Sequence, residues 1–284
     1  MKKTQVRIRL LPRMGLLAAV SLGLVASVAA GPASAVTATT VPPAGLSYGS
    51  ARSYVALGDS FTGGQGAPPY LPGPCLKSKF AAYPTIAAAL SPYRLTANKA
   101  CSGAAVADVQ AQLAGVSPDT ALVTLTVGGI DAGSNAVLAA CAPDPTAPSC
   151  EQAVGASSAQ LAVLGPRLAG LYGQIAAALP NARIVVMNYP RLFNPGVLPL
   201  ADLVNASTDA LDAVIGGAVA ATGNARVQLV DVTQEFAGHG IGARVPYISL
   251  NPTDPLAPAN FHPNALGNTL GYARALATDG VLRR

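Results

Sequence analysis

The chain has 284 residues, of which 51% are hydrophobic and only 11% charged, with no tryptophan and a formal net charge of +5. Five of its 18 basic residues (Lys2, Lys3, Arg7, Arg9 and Arg13) lie within positions 1–35, so the rest carries 13 basic against 13 acidic side chains and is electrically neutral. With no basic run and no basic–aromatic alternation elsewhere, a nucleic-acid partner is not expected.

Met1 to Met14 is basic and lacks acidic residues, Leu16–Ala30 is apolar, and Ala33-Ser34-Ala35 follows. This order is that of a secretory signal peptide over residues 1–35, cleaved before Val36. The apolar run is short for a bilayer span, so no stable membrane span is expected after cleavage. No twin-arginine pair precedes it, which favours the general secretory route and an extracellular product. Residues 36–52 are rich in Thr, Pro and Gly and read as a flexible linker. Residues 53–284 suffice for one α/β domain of about 230 residues, and a monomer is expected. Four cysteines, Cys75, Cys101, Cys141 and Cys150, lie in the exported part, where an even number implies disulfides. Three pairings are open. Closure between neighbouring elements favours Cys75–Cys101 and Cys141–Cys150. No C-x-x-C occurs and His239 and His262 are the only histidines, so no metal is implied.

Strand and helix patterns alternate from Ser53 onward. Ser53–Leu57 predicts a strand, Tyr83–Leu90 a helix, Leu95–Ala97 a short strand and Ala105–Leu113 a helix. Ala121–Val127 is rich in β-branched residues and ends at Gly128-Gly129, as expected of a buried parallel strand entering a tight turn. Cys141–Cys150 reads as a disulfide-closed excursion. Glu151–Leu179 predicts a long helix interrupted near Gly165-Pro166. Arg183–Met187 follows as a strand, Leu203–Ala221 as a helix, Val227–Val232 as the last strand and Asn264–Ala277 as the final helix, with Pro263 near its first turn. Strands separated by helices give a parallel sheet with right-handed crossovers and helices on both faces. Sites in such sheets lie beyond the carboxyl ends of the strands. Ser60, Gly128-Gly129 and Tyr189-Pro190 all fall there.

A nucleophile that also helps hold an oxyanion needs an exposed hydroxyl and a free backbone N–H. Ser60, in Gly58-Asp59-Ser60-Phe61 on a strand-to-helix turn, meets that need. A base must come from His262, immediately before a helix, or His239, in a glycine-flanked loop, and the fixed loop favours His262. Asp59 and Asp131 could suggest paired-carboxylate glycosidase chemistry. Turn fixation for Asp59 and capping of the following helix by Asp131 are the simpler expectations. The apolar segment Pro195–Leu200 is a candidate acyl-pocket wall or an ordinary packed loop.

Gly58-Asp59-Ser60-Phe61, Ala100-Cys101-Ser102-Gly103-Ala104, Val127-Gly128-Gly129-Ile130-Asp131 and Phe261-His262-Pro263-Asn264 occur in the order and spacing of the SGNH, or GDSL, hydrolases. With Tyr189-Pro190-Arg191-Leu192-Phe193 and the flanking cysteines, the chain resembles the secreted bacterial lipase/esterase branch from about Ser53 to Asp279. The resemblance implies a flavodoxin-like three-layer αβα fold with a central parallel sheet. It also implies cofactor-free hydrolysis of small-molecule or lipid esters, with Ser60 as nucleophile, His262 as general base, and the Ser60 and Gly103 amides as oxyanion donors. Two positions depart from the family pattern. Ile130 stands where the family's asparagine supplies a third oxyanion donor, with Asn135 and Asn98 as candidate substitutes. Ala259 stands where many members carry an aspartate that orients the histidine. Asp254 is then the carboxylate candidate, and a main-chain carbonyl on Ala259-Asn260 is the favoured one. The leading reading is a secreted carboxylic-ester hydrolase acting through an acyl-enzyme. The alternatives are a carbohydrate O-acetyl esterase and a catalytically impaired lipid- or glycan-binding protein on the same fold.

Overall fold

The computed structural model describes residues 51–254 and 256–283. The expected signal peptide and nearly all of the expected linker lie outside these residues. Arg52, assigned to the linker from sequence, instead opens the first strand, where its guanidinium donates to the Tyr93 hydroxyl at 3.2 Å.

Five strands, β1 (Arg52–Gly58), β2 (Tyr93–Asn98), β3 (Leu122–Thr126), β4 (Arg183–Met187) and β5 (Val227–Val230), form one sheet in the order β2-β1-β3-β4-β5. Every neighbouring pair is parallel. This is the flavodoxin-like order, in which the chain reverses direction of travel across the sheet between β1 and β3. Side chains alternate between faces along each strand. Tyr54, Ala56, Leu122, Val185 and Met187 enter one apolar core, and Val55, Leu57, Val123, Leu125, Ile184 and Val186 enter the other. The first core is closed by α2 (Tyr83–Ala89) and by a π-helix (Gly267–Ala273) that runs into the short terminal helix (Arg274–Thr278). The second is covered by α3 (Val106–Ala111), α5 (Pro148–Ala178) and much of α6 (Pro199–Ala221). Two cores on opposite faces make the predicted three layers.

Several boundaries differ from the sequence reading, each for a packing reason. Gly165-Pro166 does not interrupt α5. Pro166 is exposed, while Leu164, Leu168, Leu171 and Ile175 are buried on the other face. Burial of that stripe offsets a proline penalty of about 3 kcal/mol. The helix starting at Pro199 takes in Leu200, which is buried in the core, whereas Val197 and Leu198 are exposed. Three short helices had no bounds in the sequence reading: α1 (Ser60–Gly63) and α4 (Ser134–Cys141), the helices implied after the serine turn and after Asp131, and α7 (Thr233–Phe236), which was not anticipated. The first two begin just beyond the carboxyl ends of β1 and β3. Cys75 is bonded to Cys101, and Cys141 to Cys150, the latter tying the end of α4 to the first turn of α5. Among the described residues no helix is long and apolar enough to cross a membrane.

Candidate active site

The turn at the end of β1 is shaped by backbone crowding. Gly58 has φ +122°, and a β-carbon there would stand 2.3 Å from the Thr126 carbonyl oxygen. Only glycine lets β1 and β3 approach this closely and then release the chain into α1. Asp59 caps that helix. Its Oδ1 accepts from the Phe61 amide (3.0 Å) and the Thr126 hydroxyl (2.7 Å), and its Oδ2 accepts from the Tyr189 hydroxyl. The Tyr189 oxygen in turn accepts from the Gly129 amide at 3.2 Å. Burial pushes the Asp59 carboxyl up to about 6, and its three hydrogen bonds pull the other way. Asp59 thus holds the turn and links the ends of β1, β3 and β4.

Ser60 follows at the first helical position, 8% exposed. Its Oγ lies 2.8 Å from His262 Nε2, and His262 Nδ1 lies 2.7 Å from the main-chain oxygen of Asn260. A carbonyl can only accept, so Nδ1 carries the proton and Nε2 is left as an acceptor for the serine hydroxyl. Burial lowers the His262 pKa to about 4, partly countered by the Asn260 hydrogen bond, which keeps the ring neutral near pH 7.

The loop bearing the histidine is braced from several sides. Asn260 Oδ1 accepts from the Asn251 amide at 2.7 Å, and its Nδ2 donates to the Asp254 carbonyl at 2.9 Å. Phe261 has φ +62°, a conformation a bulky residue adopts only when its surroundings impose it. Asn268, fully buried in the π-helix, donates to the Pro263 and Asn264 carbonyls and accepts from the Tyr83 amide. The Asp254 carboxylate is exposed and accepts from the Leu256 amide at 3.2 Å, so it serves its own turn rather than the imidazole. Asp254→Asn is accordingly expected to leave kcat within about threefold of the parent, since surface changes away from buried networks have small effects; steady-state ester kinetics check this. His239 is stacked on Tyr247 at 3.9 Å with its Nδ1 2.8 Å from the Val245 carbonyl, away from Ser60.

The Ser60 and Gly103 amides donate to no other group among the described residues. The Gly103 loop is fastened to the serine turn by the Cys101 amide, which donates to the Gly58 carbonyl at 3.0 Å. It is held from the other side by Asp131. That carboxylate does not cap the helix following it; α4 starts at Ser134, after Gly133, without a side-chain cap. Its Oδ2 accepts from the Val106 amide at 2.9 Å at the start of α3, and its Oδ1 pairs with Arg167 at 2.6 Å. The start of α3, entered from the Gly103 loop, is thus the helix end within the carboxylate's reach, and that of α4 is not.

Ser60 and His262 border a cavity of about 100 Å³ that also exposes Ile130, Asn135, Leu138, Leu192, Leu211 and Phe261. Neither Pro195 nor Leu200 nor the residues between them line it, so the segment is loop and helix start, not an acyl-pocket wall. A second cavity of about 70 Å³ shares Ser134, Leu138, Leu192, Thr208 and Leu211 with the first and continues between α4, α5 and α6. Among the described residues no group of three or more His, Cys, Asp or Glu side chains is placed to hold a metal ion.

The model of the GDSL-like lipase/acylhydrolase family matches residues 56–270. The chain belongs to this family. A curated lipase of Streptomyces coelicolor, Lipase 1, is 33% identical over 253 residues, covering 85% of this chain and 90% of its own length. A lipase of Streptomyces rimosus is also 33% identical, covering 80% and 86%. Among solved structures, the extracellular lipase of S. rimosus superposes with a TM-score of 0.72 at 32% identity, and phospholipase A1 of Streptomyces albidoflavus with 0.73 at 32%. Each covers 80% of this chain and 99% of its own. This GDSL-family chain is a carboxylic-ester hydrolase.

Ile130 does line the cavity of this family member, and its side chain offers no hydrogen-bond donor. Asn98 is not a substitute, because its amide is spent on the Thr62 carbonyl and the Ala100 amide. The sequence reading also missed Tyr189 as the partner of Asp59, Asn268 as the clamp on the histidine loop, and Asp131 as the brace of the Gly103 loop. Asn268 alone left a signal: a polar residue four positions after Asn264, on a helix face that is otherwise apolar and buried.

Proposed function

We propose that this family member hydrolyses lipid or other acyl esters through an acyl-enzyme on Ser60, with His262 as general base. The observation that carries the reading is the Ser60 Oγ to His262 Nε2 contact of 2.8 Å, with Nδ1 committed to the Asn260 carbonyl. Ser60 Oγ adds to the ester carbonyl carbon as its proton passes to Nε2. The Ser60 and Gly103 amides receive the developing oxyanion. Collapse of the tetrahedral intermediate breaks the bond to the alcohol oxygen, which leaves with the proton from Nε2. Water then repeats the sequence on the acyl-enzyme, releasing the carboxylic acid and restoring Ser60. The Asn260 carbonyl fixes the tautomer and stabilises the imidazolium, though less than a carboxylate would, so Ser60 and His262 act as a dyad.

The acyl group is proposed to lie in the arm between α4 and α6. Three hydroxyls on its wall are turned into backbone: Ser157 donates to the Ala132 carbonyl (2.7 Å), Ser207 to Leu203 (3.0 Å) and Thr208 to Val204 (3.0 Å). Apart from Ser134, shared with the first cavity, what remains facing the arm is chiefly Val137, Leu138, Leu192, Val204 and Leu211. An acetyl group would leave that surface unused, which favours a lipase or long-chain esterase over a carbohydrate O-acetyl esterase. Export fits the signal-like residues 1–35, the two disulfides and the extracellular relative from S. rimosus.

The test is reaction of the mature protein with a fluorophosphonate, followed by peptide mass analysis. An adduct on Ser60 is expected, and folded protein left unlabelled overturns the reading. In a p-nitrophenyl ester series, kcat/KM should rise from acetyl to a medium or long chain by at least about tenfold, given ~0.8 kcal/mol per buried methylene.

A further inference from the structure

We propose that Asn135 supplies the oxyanion donor that Ile130 lacks. This rests on the esterase reading above and assigns a further catalytic residue to that site.

Ile130 and Asn135 belong to one short turn held by its own hydrogen bonds. Ala132 N–H donates to the Gly128 carbonyl (2.8 Å), Gly133 N–H to Ile130 (3.0 Å) and Ser134 N–H to Gly129 (3.1 Å). The turn therefore presents both side chains to the same cavity, which Ser60 and His262 also border. The Asn135 side chain has no hydrogen-bond partner among the described residues. Apart from the Ser134 hydroxyl, which also borders the cavity, the neighbouring polar side chains that could take the role are committed. The Tyr189 hydroxyl donates to Asp59, and the Asn98 amide nitrogen donates to the Thr62 carbonyl.

Before substrate binds, the Asn135 amide is exposed and can be hydrated. An ester filling the cavity displaces that water, and an amide left unpaired would then oppose binding. The acceptor the ester brings is its carbonyl oxygen, and that oxygen becomes a far better acceptor as it gains charge. An amide donor at this position therefore acts mainly on the transition state. The competing donor is the Ile130 backbone N–H, which likewise has no partner among the described residues.

Asn135→Ala separates these two, because it leaves the Ile130 amide in place. With p-nitrophenyl esters, Asn135→Ala is expected to lower kcat about 10²-fold with KM within about threefold, the pattern of an interaction made in the transition state. Adding Ile130→Asn to Asn135→Ala should restore kcat to within about tenfold of the parent, by returning an amide donor to the turn. A boronic acid inhibitor, whose tetrahedral adduct carries the same anionic oxygen, should bind the single variant at least about tenfold more weakly. A kcat within threefold of the parent, with unchanged inhibitor affinity, overturns the proposal and transfers the role to the Ile130 amide. So does a loss of kcat matched by a rise in KM and not recovered by Ile130→Asn, which would mark Asn135 as a wall residue only. If the parent protein itself neither turns over esters nor takes the fluorophosphonate, the esterase reading fails, and this proposal with it.

Discussion

Alanine at His262 is expected to lower kcat by about 10⁴–10⁶-fold while leaving the fold intact, with the loss carried by kcat rather than KM. Among the described residues the ring is the only group within hydrogen-bond reach of Ser60 Oγ that can take its proton. Without it the serine must attack at its own high pKa. The same ring should set the acid limb of the pH–rate profile. Because burial lowers its pKa to about 4, kcat/KM in the parent should hold down to roughly pH 5 and fall near pH 4, not near the pH 6.5 of a free imidazole. A limb near 6.5 would mean that the ring is solvated before substrate binds.

That depressed pKa also enters stability, with a definite sign. Between pH 6.5 and 4 the unfolded chain binds a proton at His262 that the folded chain does not, so stability falls as pH drops through this window, by up to about 3 kcal/mol. Asp59 has the opposite sign. Its folded pKa is raised from 3.8 to about 6, so the folded chain binds the extra proton, and its contribution is present at low pH and lost as pH rises through 6. In the parent the two oppose each other over pH 4–6. His262→Ala removes one side only, so the variant's Tm should decline less on acidification from pH 6.5 to 4 than the parent's. Thermal unfolding by circular dichroism at three or four pH values decides it. A steeper decline in the variant would contradict the assigned shifts.

The parts of this architecture that follow from local pattern were legible in the sequence. β1, β3 and β4 announce themselves as short apolar runs, rich in β-branched residues in β3 and β4, that lead into glycine, asparagine or aspartate, and a parallel sheet follows from the helices between them. The serine turn and the histidine loop are local motifs as well, each readable within about seven residues. What escaped is made by tertiary contact. The edge strand β2 carries exposed residues such as Arg94, so its pattern is weaker than its six-residue extent. The continuity of α5 through Pro166 depends on which face of the helix meets the sheet, and the proline itself does not report that. Asp131 reaches α3 across 25 residues and Tyr189 reaches Asp59 across 130, separations at which spacing carries no signal. The preference for a carbonyl on Ala259-Asn260 over Asp254 was legible from the missing aspartate at Ala259, but which of the two carbonyls turns on a loop shaped by the Asn260 side chain.

Gly66→Ala is expected to cut kcat about 10²-fold without unfolding the protein, although Gly66 is not part of the reacting group. A β-carbon on Gly66 would stand 2.4 Å from the Pro263 carbonyl oxygen and 2.5 Å from that of His262. Both are main-chain atoms, so no side-chain rotation can relieve the contact, and the histidine loop itself must give way. It is poorly able to do so by a small tilt, because Asn268 holds the Pro263 carbonyl at 2.8 Å and the Ser249 amide holds the His262 carbonyl at 2.9 Å, while the Ser249 hydroxyl ties Gly66's own carbonyl at 3.1 Å. A shift of the loop by about 1 Å would carry Nε2 beyond hydrogen-bond distance of Ser60, and misplacement on that scale typically costs about 10²-fold in rate. Fluorophosphonate labelling should slow by a similar factor, since it draws on the same serine–histidine contact. Gly170→Ala provides the contrast. Gly170 lies exposed in α5 with nothing within 4 Å of a β-carbon, so alanine there should add about 0.5–1 kcal/mol of stability and leave kcat unchanged. Should Gly66→Ala match the parent in both turnover and labelling, the loop is more compliant than its hydrogen bonds indicate. The serine–histidine contact would then be restored by substrate rather than built into the fold.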